Sequence, residues 1–196
     1  MIDLENARKH FSQHIATFAD YGNIKVLDFK NPNSGDYRIR FLFEEDYCRL
    51  HISGDLGELI AVNYNNMTWE GFSSFVHNAE YFEEKVKCCN RPLYRYDEDL
   101  AREMLDDHLA GICSFHDQDL FESIDEIMDD FDGRTGIGSA GRRVVADLDP
   151  DYWEWIGDVG KERTGILELY LLAFRLAKAQ FQDGKDQTDE EREIHL

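Results

Sequence analysis

The residue types that could carry out covalent chemistry are few in this chain. Cys113 lies close in sequence to His108 and His116, and a thiol needs a neighbouring base to become a nucleophile. No recognised hydrolase signature surrounds these three residues. His10 and His14 lie one helical turn apart and could share a metal ion, but no third ligand follows at a fixed spacing. We therefore expect no catalytic residue, metal or cofactor, and a hydrolase that uses Cys113 or a carboxylate cluster is kept as an alternative.

Residues 136–141 read Gly-Ile-Gly-Ser-Ala-Gly and match the G-x-G-x-x-G pattern. A dinucleotide site needs a strand before this loop and a helix after it, because the pyrophosphate binds at the helix N-terminus. The sequence predicts the reverse order, with a helix before the loop and a strand over residues 142–148. No nucleotide site is expected, and the flanking Arg134, Arg142 and Arg143 could instead bind an anion or pair with acidic side chains.

Four aspartates near residue 150 follow the spacing of a calcium-binding loop: Asp147, Asp149, Asp151 and Asp158. The position that needs a glycine holds Tyr152, and Pro150 interrupts the segment. We interpret Asp149 as a helix cap rather than a calcium ligand.

The most distinctive chemistry is a concentration of carboxylates. Residues 97–132 contain 14 acidic residues, and Arg102 is the only lysine or arginine among them. Two predicted helices would expose these carboxylates at one-turn intervals, a spacing that approaches that of phosphates along a nucleic-acid strand. A solvated helix face is the plainer interpretation. The candidate partner-binding residues in this segment are Asp99, Glu103, Asp106, Asp107, Glu122, Asp125, Glu126, Asp129, Asp130 and Asp132.

Two tryptophans extend this candidate surface. Trp153 and Trp155 lie two residues apart in a predicted short helix and must therefore point in different directions. Tryptophan is frequent among the residues that dominate binding interfaces, so we expect at least one of them to contact a partner, the alternative being core packing.

The hydrophobic pattern predicts an α+β protein. An N-terminal helix over residues 4–20 covers a four-stranded antiparallel sheet with strands at 24–30, 37–44, 47–53 and 58–64. The C-terminal half is mainly helical, with short helices at 68–76 and 79–88, acidic helices at 97–110 and 118–131, and an apolar helix at 165–181. We expect a sheet module over 1–96, an acidic helical module over 97–181 and a disordered tail over 182–196. The apolar last helix is either buried or shared with a second copy in a homodimer.

Composition limits the function classes. Asp and Glu number 41 against 21 Lys and Arg, which gives a net charge of −20. Such a charge disfavours direct binding to nucleic acid or to anionic membranes and favours a basic protein partner. Acidic residues follow Met1, no apolar signal segment is present, and no C-x-x-C pair occurs. We expect a cytoplasmic protein with free thiols.

The segment from Tyr37 to Ile60, followed by Tyr81-Phe-Glu-Glu-Lys-Val, resembles a group of small phage and prophage proteins. Those proteins have a strand, a Gly-Asp-x-Gly turn, another strand and then a Tyr-Phe-x-x-Lys helix. The likeness covers roughly residues 1–100 and carries no assigned active site. It implies a phage protein active in a bacterial host cell.

A small acidic protein of this origin is similar in kind to anti-CRISPR proteins. Several of these inhibit Cas9-type effectors by occupying the basic cleft that holds DNA. The likeness implies a non-enzymatic Cas9 inhibitor that mimics nucleic acid. A phage accessory or scaffold protein without inhibitory activity is the alternative.

Overall fold

A computed structural model describes the backbone of residues 2–112 and 117–193 and the side chains of residues 2–111 and 120–181. The chain forms two compact units. We call residues 2–91 and 165–193 the sheet unit, and residues 92–164 the helical unit. The sequence predicts a boundary after residue 96 and groups the last helix with the acidic helices. The observed division differs, because the last helix packs with the elements of the sheet unit.

The sheet unit contains one six-stranded antiparallel sheet whose strands follow chain order. The strands are β1 (Ile15–Tyr21), β2 (Ile24–Lys30), β3 (Ile39–Glu44), β4 (Arg49–Gly54), β5 (Leu59–Val62) and β6 (Val86–Cys89). Strands β2 to β5 correspond to the four predicted strands, and the α+β class is confirmed. The predicted count of four strands is wrong, because the sheet has a further strand at each edge.

The N-terminal helix is shorter than predicted. Helix α1 (Leu4–His10) begins at Asp3, whose Oδ1 accepts hydrogen bonds from the N–H groups of Glu5 and Asn6. After one 3-10 turn the chain enters β1, and a two-residue loop that begins with Gly22 at φ +79° leads into β2. Glycine adopts this φ without steric cost, as a tight hairpin requires. The predicted helix over 4–20 is therefore wrong beyond α1, because residues from Ile15 onward form the first strand of a β-hairpin.

One face of the sheet carries the core of the unit. Alternation along β3 and β4 buries Ile39, Phe41, Phe43, Leu50 and Ile52 on that face. A 3-10 helix (Gly71–Phe75) and helix α2 (Ala79–Glu83) add further buried aromatic side chains before the chain forms β6. The predicted helices at 68–76 and 79–88 are thus shorter than expected, and the end of the second is the edge strand β6.

Helix α6 (Ile166–Glu193) completes the sheet unit. Its first three turns are buried, and Phe174 contacts the rings of Phe41, Phe43 and Phe72. This burial accounts for the apolar sequence without a second chain, and the homodimer stays a prediction. The helical backbone continues to Glu193, residues 194–196 lie outside the described residues, and the disordered tail over 182–196 stays a prediction. No helix in the described part of the chain combines the length and apolar character needed to cross a bilayer.

The described residues of the helical unit form five helical segments and two small ribbons. Its elements are β7 (Tyr94–Tyr96), α3 (Glu98–Ile112), α4 (Asp117–Met128), β8 (Phe131–Asp132), β9 (Gly136–Ile137), α5 (Ser139–Leu148), 3-10 helices at Tyr152–Glu154 and Ile156–Asp158, and β10 (Lys161–Arg163). Strand β7 pairs with β10, and β8 pairs with β9. Both predicted acidic helices are present as α3 and α4, whereas the predicted Trp-rich helix is a pair of 3-10 turns.

Helix α5 occupies the segment predicted as a strand over 142–148, so that prediction is wrong. Gly141, Val144, Val145 and Leu148 repeat at spacings of three and four, and they face the core of the helical unit. The absence of a side chain at Gly141 lets α5 approach α4, because a Cβ there would clash with the carbonyl oxygen of Ile127. Two adjacent β-branched valines suggest a strand, but tertiary packing at helical spacing decides the outcome.

Candidate partner-binding surface

Helices α3 and α4 pack together through their apolar sides. Leu105 and Leu109 of α3 and Ile124 and Ile127 of α4 belong to one buried cluster. A second link lies outside this core, where Arg102 Nη1 of α3 donates to Asp125 Oδ1 of α4 at 2.7 Å. Because Arg102 lies early in α3 and Asp125 late in α4, the two helices run in opposite directions. The apolar stripe of each helix fixes which side faces solvent.

The solvent side of each helix carries a row of carboxylates. Residues that differ by four and seven positions lie on one helix face, about 6 Å apart along the axis for each interval of four. The rows define what we call the two-helix acidic surface, and all seven residues are exposed: Asp99, Glu103, Asp106 and Asp107 on α3, and Glu122, Glu126 and Asp129 on or directly after α4. Seven of the ten predicted acidic residues are thus exposed on α3, on α4 or directly after α4.

Arg102, the one arginine in the described residues of these two helices, forms ion pairs with carboxylates of the same helices. The guanidinium of Arg102 pairs with Asp125 at 2.7 Å and with Glu98 at 3.6 Å. The hydrogen bond that Arg102 donates to Asp125 raises the pKa of Arg102. Within the described chain, no basic side chain lies at ion-pair distance from six of the seven surface residues: Asp99, Glu103, Asp106, Asp107, Glu126 and Asp129. The carboxylates therefore repel one another and raise the local negative potential.

Two of the predicted binding residues have structural partners of their own. The carboxylate of Asp130 accepts hydrogen bonds from the N–H groups of Ala140 and Gly141 at 2.9 and 3.2 Å, at the start of α5. The hydrogen bond from Ala140 is the largest cause that lowers the pKa of Asp130. Asp132 Oδ1 accepts from the N–H groups of Arg134 and Thr135 in the turn between β8 and β9. These two carboxylates, like Asp125, stabilise the helical unit.

The glycine-rich segment 136–141 therefore has a different context from the predicted one. Strand β9 forms its first two residues and helix α5 begins at Ser139 within it, so a strand leads into a helix, which is the order that a phosphate loop needs. The N–H groups at the start of α5 are nevertheless already bonded to Asp130. The flanking Arg142 donates from Nε to the carbonyl oxygen of Ile137 at 2.8 Å. The chain's own carboxylate occupies the position that an anion would take.

The two tryptophans have different environments. Trp153 is 66% exposed and is available for contact. Trp155 is half-buried, donates from Nε1 to Asp149 Oδ2 at 2.8 Å, and packs against the ring of His108 with centroids 3.8 Å apart. The predicted contact role is therefore placed on Trp153, and Trp155 packs against the core.

A second exposed aromatic side chain belongs to Phe121 of α4. It is 64% exposed and follows the buried Leu120, so it lies beside the apolar stripe rather than in it. The adjacent Glu122, which belongs to the acidic row, indicates in the sequence that this part of the helix faces solvent. Exposed aromatic side chains beside charged ones are frequent among residues that anchor protein interfaces.

The candidates for catalysis and metal binding are only partly described. Cys113 and His116 lie outside the described residues. His108 Nε2 lies 3.7 Å from Asp149 Oδ2, beyond hydrogen-bonding range, and its ring packs on Trp155. Hydrogen bonds from Trp155 Nε1 and from the N–H of Asp151 lower the pKa of Asp149. The sequence predicts Asp149 as the N-cap of a helix over residues 151–156, whereas in the structure Asp149 is the C-cap of α5 and its Oδ1 accepts the N–H of Asp151 ahead of the 3-10 turns.

Metal-binding geometry is not formed by the residues singled out in the sequence. His14 is buried and donates from Nε2 to the carbonyl oxygen of Tyr37, while His10 stacks on the Tyr37 ring. Among the described residues, no group of three or more His, Cys, Asp or Glu side chains could hold a metal ion. The two-helix acidic surface is therefore the strongest candidate for function.

Comparisons with protein-family models, with curated proteins and with solved structures found no match. The chemistry of the two-helix acidic surface is therefore the observation that bears on function. Two rows of exposed carboxylates, together with exposed aromatic side chains in the same unit, can bind a surface rich in lysine and arginine, with steering at long range and contact at short range.

Proposed function

We propose that this chain is an inhibitory binding protein of phage origin whose two-helix acidic surface occupies the basic nucleic-acid cleft of a Cas9-type CRISPR effector. The proposal has two levels. Binding to a basic cleft rests on the geometry of the surface, and the choice of effector rests on the likeness to small phage proteins. The protein acts on its partner by occupancy and not by catalysis.

The supporting observation is the pair of carboxylate rows on antiparallel helices. A helix that is charged only for solubility usually mixes both signs along its face. Here α3 and α4 contain one arginine, and that arginine is paired with Asp125. Along each helix the one-turn interval between carboxylates approaches the spacing of phosphates along a nucleic-acid strand. In this proposal the two rows take the place of backbone phosphates in the basic cleft.

The charges of the sheet unit support the choice of this surface over the open sheet face. Arg40 binds Asp28 through two hydrogen bonds of 2.7 and 2.8 Å, and Arg38 binds Asp55. Both arginines are thus neutralised by local partners. Within the described chain, six exposed carboxylates on or directly after α3 and α4 have no basic partner, and a basic protein gains from contact with them.

The test is capture of a purified Cas9–guide RNA complex by immobilised protein at low and at high salt, with DNA cleavage measured on the same samples. Occupancy of a basic cleft predicts capture that weakens as ionic strength rises and cleavage that falls with capture. Capture without loss of cleavage would favour a scaffold protein. Absence of capture at low salt would remove the effectors tested and leave the acidic surface without its proposed partner.

A further inference from the structure

The sheet unit contains a cleft of about 650 Å³ that lies among α1, α6 and the segment leading into α2. Helix α1 contributes Arg8 and Lys9, and the segment before α2 contributes Val76 and His77. Helix α6 contributes the residues that share one of its faces at spacings of three and four: Glu168, Leu171, Leu172 and Arg175. A volume of this size is typical of small-molecule sites.

The charges that line this cleft are opposite in balance to those of the whole chain. Arg8, Lys9 and Arg175 face it together with the carboxylates of Glu5 and Glu168. The cleft therefore carries an excess of positive charge in a chain whose net charge is −20. Within the described residues, none of the three cations has a carboxylate at ion-pair distance, although acidic residues outnumber basic ones by about two to one in the sequence.

Arg175 differs in this respect from Lys178, one turn further along α6. The ammonium of Lys178 donates to the carbonyl oxygen of Trp69 at 3.1 Å and to Ser73 Oγ at 2.9 Å, and it lies near Glu70. Arg175 has a nitrogen partner instead, since its Nη1 lies 3.4 Å from Nδ1 of His77. A guanidinium can only donate, and this contact uses one of its five N–H donors. The remaining guanidinium donors can bind an anion.

The rest of the lining is apolar. Leu171 and Leu172 are buried, and Leu4 and Val76 lie on the opposite walls. Water in such a place gains little from the walls, whereas an aliphatic or aromatic group gains by leaving solvent. We infer that this cleft binds a small organic anion, in which a phosphate or carboxylate group contacts Arg175, Arg8 and Lys9 and an apolar body packs against Leu171 and Leu172.

This site is independent of the two-helix acidic surface. Its residues come from the sheet unit, its charge has the opposite sign, and its ligand is small. Loss of Arg175 is therefore expected to leave the binding of a basic protein partner unchanged. The two proposals can fail separately.

The test is isothermal titration of the full-length protein with three probes at matched ionic strength: phenyl phosphate, inorganic phosphate and benzyl alcohol. Phenyl phosphate combines the anionic group with an aromatic body, and each of the other two carries one of these features. We expect phenyl phosphate to bind with a millimolar or lower Kd and several-fold more tightly than either of the others. Equal affinities for the two phosphates, or no binding of phenyl phosphate, would overturn the inference.

Variants locate the site. Arg175→Gln is expected to weaken phenyl phosphate binding by about ten-fold or more, because charge-assisted guanidinium contacts are lost. The matched control is Arg143→Gln, which removes an exposed arginine of the helical unit and is expected to change nothing. Lys9→Gln, at an exposed position, supplies a second variant should Arg175→Gln fold poorly, with a smaller loss expected.

Equal Kd values for wild type and both cleft variants would contradict the assignment. A hexaglutamate peptide provides the remaining arm of the test, because a basic cleft could instead take an acidic chain. Binding of the peptide with no binding of phenyl phosphate would overturn the small-ligand inference in favour of a peptide site.

Discussion

Aspartates and glutamates have different roles in this protein, and the hydrogen bonds and ion pairs that each one makes distinguish these roles. Asp130 and Asp132 accept backbone hydrogen bonds, and Asp125 binds Arg102. Glu103 and Glu126 lie in the same acidic segment but face solvent. We therefore expect carboxylates without internal partners to contribute more to partner binding than carboxylates that are bonded within the chain. Composition alone cannot make this distinction, because all these residues have the same charge.

Asp149 gives a prediction on pH. Its pKa is lowered in the folded state by hydrogen bonds from Trp155 and from the N–H of Asp151. A lowered folded-state pKa stabilises the fold above the unfolded value of about 3.9, and this contribution is lost as pH falls through the folded-state pKa. Asp149→Asn is therefore expected to lower Tm at neutral pH by an amount on the order of several degrees. The difference from wild type should shrink below about pH 4.

Thermal melting of both proteins between neutral and acidic pH measures this difference. Asp147→Asn is the control, since Asp147 is exposed and has no described partner at ion-pair distance. A difference for Asp149→Asn that stays constant with pH would mean that the charge of Asp149 does not stabilise the fold.

The two tryptophans give a paired prediction. Trp153→Ala is expected to weaken partner binding by about ten-fold or more with little change in Tm, because the exposed ring has few internal contacts. Trp155→Phe is expected to lower Tm by an amount on the order of several degrees, because Asp149 loses its hydrogen bond from Nε1. Binding titration and thermal melting of both variants separate the two roles. Tyr64→Ala is a control for the loss of an exposed aromatic ring, since Tyr64 is 97% exposed in the sheet unit.

At the scale of elements, repulsion within the acidic rows makes α3 and α4 less stable than the same helices would be with charges of both signs on these faces. Glu103 lies four residues from both Asp99 and Asp107, and like charges at this spacing destabilise a helix by about 0.2–0.5 kcal/mol per pair. Glu103→Lys and Glu126→Lys are therefore each expected to raise the free energy of unfolding, by about 1 kcal/mol at low salt. Urea titration measures the gain, which should decline as salt screens the charges. A loss of stability at low salt would mean that these carboxylates have attractive partners.

The elements also show what sequence patterns predict. Strand β3 alternates clearly, β2 alternates weakly, and turn signals lie between the strands from β2 to β5, while the acidic helices combine apolar stripes with charged faces, so the sequence predicts all six elements. Strand β1 was missed because Ile15 and Phe18 continue the helical spacing of α1, and only the pairing of β1 with β2 resolves the ambiguity. Helix α5 was missed because Val144 and Val145 favour strands locally, whereas packing against α4 selects a helix.

The candidate site was predictable to a similar extent. The acidic rows follow from composition and helical spacing, which are properties of short segments. The internal role of Asp130 was not predictable, because it depends on a contact with α5 ten residues away. The cleft in the sheet unit was not predictable either, since its residues come from three segments that only the fold brings together.

At the scale of the whole molecule, charge is unevenly distributed. Residues 97–132 hold 14 of the 41 acidic residues with a single arginine, whereas the arginines of the sheet unit largely pair with neighbouring carboxylates or face the cleft. A uniform acidic surface would serve solubility alone. Localised charge directs association to one face and makes it dependent on ionic strength.

The most direct test of the proposed function is the affinity of three proteins for a Cas9–guide RNA complex at low salt. These are wild type, a row variant (Glu103→Lys, Asp107→Lys and Glu126→Lys) and a control variant with the same change of net charge at exposed sites elsewhere (Asp46→Lys, Glu58→Lys and Asp147→Lys). We predict a loss of at least about 100-fold for the row variant, because its lysines meet a basic cleft. The control variant should stay within about three-fold of wild type. Equal losses in both variants, or no binding by wild type, would contradict binding through the two-helix acidic surface.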